Sequence, residues 1–202
     1  GKVAPSGRLP VAFPQAVGQI PIYYNKKNSG RPTQNPVLYD DIPVDAAQFS
    51  IGADSYWLEY GDKPLYPFGY GLTYTTFEYG PVVLSDSVLA SSSHSLIASC
   101  EITNTGSCEA VAVPQLYIRD LVGSLTRPIR ELKGFQRITI PAGESRKVSF
   151  ELTSNDLAYW HLAEGVTLGA DGAYTFSAEP GDFHIWIAPN AAEGLPAKFT
   201  LQ

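Results

Sequence analysis

The sequence has no methionine and only two cysteines, three tryptophans and three histidines among 202 residues. Two cysteines cannot build a disulfide scaffold. In LIASCEI the residues Leu96, Ala98, Cys100 and Ile102 alternate, so Cys100 should face a core. Cys108 follows the turn-like NTGS and should lie at the surface, which leaves the two thiols badly placed to bond. The missing methionine, initiator included, reads as a processed chain or a piece of a longer one, and neither a signal peptide nor a transit peptide heads it. Long apolar runs are missing too: none approaches the roughly 18–20 residues that a bilayer span requires. Basic charge is scarce, with 14 Lys and Arg against 20 Asp and Glu and a net charge of −6. Its densest runs, Lys26-Lys27 and Arg127–Lys133, are too sparse to displace counterions from phosphates, so nucleic acid is excluded as a partner. Low charge beside abundant aromatic side chains describes a solid, β-rich, secreted-type domain rather than a disordered one.

What is present falls into two kinds of sequence. Residues 1–75 hold most of the sixteen prolines and little sustained periodicity. Within them GRLPVAFP puts Leu9, Val11 and Phe13 on one face, as a strand whose Pro10 favours an edge or a strand end. Residues 25–63 read as a long irregular arm, and a compact domain rarely carries a structureless connection of about 40 residues. The arm is therefore expected to lie across another surface, held by Tyr23, Tyr24, Tyr39, Phe49, Tyr56 and Trp57. From about residue 76, short alternating runs recur between turn signals at NTGS, PAGE and EPGD: VVLSDSVL, SLIASCEI, VAVPQLYIRD, FQRITI, SRKVSFEL, AYTFSA, DFHIWIA and AKFTLQ. Seven or eight such strands predict a two-sheet antiparallel sandwich of immunoglobulin or fibronectin type III kind. SNDLAYWHL offers one helical turn, and SSSHS (91–95) a polar loop.

The sequence carries few signatures of chemistry. GYGLTY begins like a dinucleotide fingerprint, but Tyr74 stands where the third glycine belongs. His94, His161 and His184 lie far apart with no paired cysteines, so no zinc ligand set is present. No GxSxG elbow announces a serine nucleophile. Glycoside cleavage needs only two carboxyl groups a few ångströms apart, and Asp40-Asp41, Asp54, Glu59, Glu131 and Glu144 are candidates. Asp40-Asp41 reads as a solvated turn, Glu131 as a surface ion pair between Arg130 and Lys133, and Glu144 as a turn residue behind Gly143. No catalytic residue is assigned, and no cofactor or metal is called for. In PLYPFGYGLTYTTF (64–77) the prolines restrict the backbone, the glycines allow close approach, and the aromatics can fill a seam. A seam is favoured over an open sugar platform, because TYTTFEY runs straight into a strand.

Three stretches together carry a likeness: PSGRLPVAFPQAVGQIPIYYNKKNSGRP (5–32), PLYPFGYGLTYTTFEY (64–79) and TRPIRELKGFQRITIPAGESRKVSFEL (126–152). With ITNTGSCEAVAVPQLYIRD (102–120) and EPGDFHIWIA (179–188), they resemble the C-terminal part of family 3 glycoside hydrolases, nearest the bacterial periplasmic β-glucosidases. The resemblance implies a barrel domain, then an α/β sandwich domain, then a fibronectin type III-like domain. Residues 1–24 would be the terminal strand and exit loop of the α/β sandwich, 25–75 a wrapping arm, and 76–202 the fibronectin type III-like domain. The family's Asp nucleophile and Glu acid/base would both lie upstream of Gly1, so no catalytic residue is carried over. The implied partners are those upstream domains and an oligosaccharide substrate, in a periplasmic or secreted protein. Tyr56 and Trp57 are the candidate substrate-rim residues, if the arm reaches the rim of the parent's pocket. Pro114 stands where the family usually has a β-branched strand residue, which hints at an edge strand or a bulge. Two alternatives stay open: a carbohydrate-binding module using Trp57 or Trp186, and a structural adhesion-type module.

Overall fold

The computed structural model describes residues 1–28, 31–33, 35–47, 54–90, 95–166 and 173–202. Phe49 and His94, and with it most of SSSHS, lie outside the described residues. Thirteen short strands are described: β1 (Phe77–Tyr79), β2 (Val83–Leu84), β3 (Val88–Leu89), β4 (Leu96–Asn104), β5 (Ala110–Ala112), β6 (Gln115–Asp120), β7 (Glu131–Phe135), β8 (Ile138–Ile140), β9 (Ser145–Leu152), β10 (Tyr159–Leu162), β11 (Tyr174–Ser177), β12 (Gly181–Ala188) and β13 (Ala197–Leu201). One four-residue helix, α1 (Ser154–Leu157), precedes β10. Its N-terminus is closed by Asp156, whose carboxylate accepts from the Thr153 N–H at 2.7 Å.

The strands build a sandwich. In one sheet β4 is central, paired with β9 along one side and with β1 and β2 along the other. The second sheet runs β3-β13-β12-β6-β7, antiparallel except where β3 joins β13. The expected count of seven or eight strands is exceeded because several runs break as the chain changes partners. VAVPQLYIRD is one case: Ala110–Ala112 pairs with β8, whereas Gln115–Asp120 pairs with β7 and β12. Pro114 sits at that switch, where its missing N–H removes nothing from either ladder. A register shift follows at Leu116/Tyr117.

The core lies between the sheets and follows the period-two pattern. Ala98, Cys100 and Ile102 of β4, with Val148, Phe150 and Leu152 of β9, meet Leu116, Ile118, Phe183, Ile185, Ile187, Phe199 and Leu201. Phe183 and Phe199 are register partners and stack at 5.2 Å. Cys100 is buried and Cys108 half-buried, and both are free thiols. Asn104, fully buried at the head of NTGS, has its polar atoms matched. Its amide donates to the carbonyls of Cys108 and Ile140, and its Oδ1 accepts from Thr75 and Gly106.

The first 76 residues contain no strand among those described, only two 3-10 turns, Val17–Gln19 and Tyr39–Asp41, and isolated bridges. The expected strand over Leu9–Phe13 is therefore reduced. Phe13 forms a bridge with Tyr66, and the N–H groups of Leu9 and Phe13 donate to Tyr70 and Tyr66 at 2.8 Å. Pro10 and Pro14 supply no N–H, which stops the pairing from growing into a ladder.

Candidate functional site

The outer face of the second sheet carries the residues that alternate with its core positions: Tyr117 of β6 and Trp186 and Ala188 of β12. They are buried beneath the N-terminal segment, through Tyr24 and Phe68. Tyr24 stacks on Phe68 at 4.1 Å and meets Tyr117 edge-on. Trp186 is only 6% exposed, with the Arg130 guanidinium 4.4 Å from its ring and His184 against it edge-on. Burial lowers the Arg130 pKa to about 10, against the opposing pull of Tyr117. Trp186 is thus a packing residue between sheet and arm, not an open stacking face.

PFGYG closes this seam. Gly69 has φ +79°, and a Cβ there would stand 2.0 Å from Gln115 Oε1. Gln115 is buried and donates through Nε2 to the carbonyls of Gly69 (3.0 Å) and Pro189 (2.6 Å), while its Oε1 accepts from the Tyr117 hydroxyl. A Cβ at Gly71 would stand 2.1 Å from the Gly7 carbonyl. Gly71 is therefore a place where two chain segments touch through their backbones, and Gly69 one where the Gln115 side chain lies against the backbone.

Tyr56 and Trp57 are brought together with the sandwich at a cleft of about 660 Å3. Lys26, Asp62, Arg119, Arg130 and Trp186 also line it. Both aromatics are half-buried. The Trp57 Nε1–H donates to the Gly18 carbonyl at 2.9 Å, and the Tyr56 hydroxyl donates to the Val37 carbonyl at 3.2 Å. Lys26 and Asp62 form an ion pair at 3.2 Å beside them.

The structure does not bring the candidate carboxylates together as a facing pair. Glu131 is ion-paired with Arg127 at 3.1 Å and Lys133 at 2.6 Å, rather than with Arg130. Glu144 pairs with Arg146, and Asp40 and Asp41 are exposed in a 3-10 turn. Asp54 and Glu59 are exposed. Among the described residues no group of three or more His, Cys, Asp or Glu is arranged to hold a metal.

One polar network has no signature in the sequence. On the inner side of β10 and β11, His161 is buried, and its Nε2 lies 2.9 Å from Ser177 Oγ while its Nδ1 lies 3.4 Å from Glu179 Oε1. Glu179 also accepts from the Ser124 N–H at 2.8 Å and from the Tyr159 hydroxyl. Burial works to raise the Glu179 pKa, but these hydrogen bonds outweigh it and hold the carboxyl below its ordinary value. Tyr159 is raised by burial and by its bond to Glu179. Arg127 lies over the Tyr159 ring at 4.0 Å. A Ser–His–Glu series of this kind could in principle relay a proton, yet His161 Nδ1 is also 3.1 Å from the Leu162 carbonyl, and Glu179 is engaged by two other donors. The network braces the β10–β11 pair against the loop at Ser124.

Comparison with known proteins gives these features a setting. Residues 112–191 match the model of the fibronectin type III-like domain. The chain is 37% identical over its whole length to a periplasmic β-glucosidase of Salmonella typhimurium, of which it covers 23%. It is 35% identical to a putative β-xylosidase of Formosa agariphila, of which it covers 22%. Among solved structures, a β-glucosidase from Listeria innocua in complex with isofagomine superposes over the whole chain with a TM-score of 0.78 at 29% identity, and the match covers 25% of that protein. The chain spans no more than a quarter of the length of these relatives.

Proposed function

We propose that this chain, which belongs to the family 3 glycoside hydrolases and forms their C-terminal region, braces the catalytic domains of a retaining, exo-acting β-glucosidase. The parent removes terminal β-D-glucosyl residues by double displacement with no organic cofactor, in the periplasm or outside the cell. Its nucleophile and acid/base belong to the upstream barrel and α/β sandwich domains. Residues 1–24 end the α/β sandwich, 25–75 are the arm, and 76–202 are the fibronectin type III-like domain. The observation that carries this reading is the two-sided character of the N-terminal segment. Its Tyr24 is sealed against the sandwich, while Val17 is 84% exposed, Tyr23 65%, and Val3, Val11 and Ile20 more than half exposed. Apolar side chains in such number on so short a segment fit a surface that a larger body covers.

On the same reading Tyr56 and Trp57 rim the parent's substrate pocket. Their half-burial at an open cleft, with both polar atoms already bonded to backbone carbonyls, supports a fixed wall rather than a reacting group. The test is the isolated chain with an aryl β-glucoside. The expected result is release of aryl alcohol no faster than in buffer. Turnover comparable to that of an intact β-glucosidase overturns the proposal, since it would require a carboxylate pair within these 202 residues.

A further inference from the structure

The β10–β11 pair has a second face, opposite the His161–Glu179 network. Trp160 and Phe176 are register partners with ring centroids 5.5 Å apart, and the next pair on that face is Leu162 with Tyr174. Trp160 is 64% exposed, Tyr174 55% and Phe176 53%. Three large aromatic side chains thus share one exposed strand face, while Tyr159, His161 and Ser177 point the other way into hydrogen bonds. Aromatic surface of this extent on a soluble domain marks a contact site.

The chemistry of the face selects its occupant. None of its four side chains carries a charge; Arg127 and Glu179 are engaged on the opposite side, and the exposed Glu164 in the turn after β10 is acidic. Charge complementarity therefore excludes a polyanion and fits a neutral ligand. Aromatic rings present a negative π-face that attracts polarised C–H bonds. A β-linked glucose ring offers such C–H bonds on both faces and keeps its equatorial hydroxyls at the edge, in water. Adjacent rings on neighbouring strands suit consecutive sugars of one chain. The platform is also held in place: Tyr159, His161 and Ser177 tie its two strands to Glu179 and Ser124, and a Cβ at Gly123 would stand 2.7 Å from the Tyr159 hydroxyl. Binding groups on braced strands lose little freedom when a ligand docks.

We propose that the Trp160–Tyr174–Phe176 face binds neutral β-linked gluco-oligosaccharide chains. The choice of sugar rests on the β-glucosidase reading above. The test uses the 202-residue chain in affinity electrophoresis through gels containing soluble mixed-linkage β-glucan or polygalacturonate, with laminarihexaose titrations alongside. The unaltered chain is expected to be retarded by the neutral glucan alone. The double substitution Trp160→Ala/Phe176→Ala should weaken binding at least tenfold, Trp160→Phe should retain most of it, and the exposed Tyr39→Ala should leave it unchanged. A readout independent of variant folding is N-bromosuccinimide oxidation mapped by mass spectrometry, in which glucan should protect Trp160 of the unaltered chain. No retardation in glucan, equal retardation in polygalacturonate, unprotected Trp160, or concentration-dependent self-association through this face would each overturn the proposal. Because no catalysis is measured, glucan binding can fail while the parent still cleaves β-glucosides, and can succeed if it does not.

Discussion

Replacing Gly69 by alanine tests the seam at its tightest point. The new side chain meets two penalties. The backbone at φ +79° is a left-handed conformation that costs an L-residue about 1–2 kcal/mol. The added Cβ would also lie 2.0 Å from Gln115 Oε1, so Gln115 must move. Gln115 holds the Gly69 and Pro189 carbonyls and receives the Tyr117 hydroxyl, all at buried or partly buried positions. Leaving one or two of those groups unpaired costs about 1–3 kcal/mol each. The expected loss is therefore about 2–8 kcal/mol, a large share of the roughly 5–15 kcal/mol that holds a domain folded. Gly143→Ala is the matched control: its φ is +74°, but nothing lies within 4 Å of the added Cβ, so only the backbone penalty of about 1–2 kcal/mol applies. Urea unfolding followed by tryptophan fluorescence, with Trp186 at the seam as reporter, measures both. A Gly69→Ala cost no greater than that of Gly143→Ala would refute the close-packed seam.

Trp186→Ala should destabilise the chain by about 3–5 kcal/mol through the lost contacts with Arg130, His184 and the arm, read as a fall in urea midpoint; a change of only a few tenths would mean that the arm does not cover this face. Glu179 titrates below its ordinary value of 4.5 in the fold, so its contribution is present above that pH and is lost as pH falls through the folded value. Glu179→Gln should therefore be less stable than the unaltered chain near neutrality and converge with it in acid, as thermal melts at several pH values would record. Cys100 and Cys108 are free, so dithiothreitol should leave Tm unchanged.

The sandwich was legible because its core residues alternate in apolar character. Phe183, Ile185 and Ile187 announce one buried face, and Val148, Phe150 and Leu152 another. The seam was legible from a different signal, since glycine and proline crowd into PLYPFGYG where backbones must meet. Strand β10 was hidden because YWHL inverts the usual polarity: His161 points inward, satisfied by Ser177 and Glu179 from the neighbouring strand and its exit, and Trp160 points outward. The same inversion concealed the aromatic face, although the alternation of AYTFSA already set Tyr174 and Phe176 on one side. The cleft at Tyr56 and Trp57 could be anticipated only as a pair of aromatics. Two of its cations, Arg119 and Arg130, come from the sandwich some 60 residues or more along the chain. Such long-range convergence leaves no local periodicity to read.

The central claim, a brace without its own catalytic acids, is tested most directly by reconstitution. On the reading proposed above, the domains placed upstream of this chain, expressed without these 202 residues, are assayed on an aryl β-glucoside alone and after mixing with this chain. The account predicts little turnover from either part alone, and activity that rises with added chain until the two are equimolar. Full activity from the upstream domains alone, or turnover by this chain alone, would contradict it.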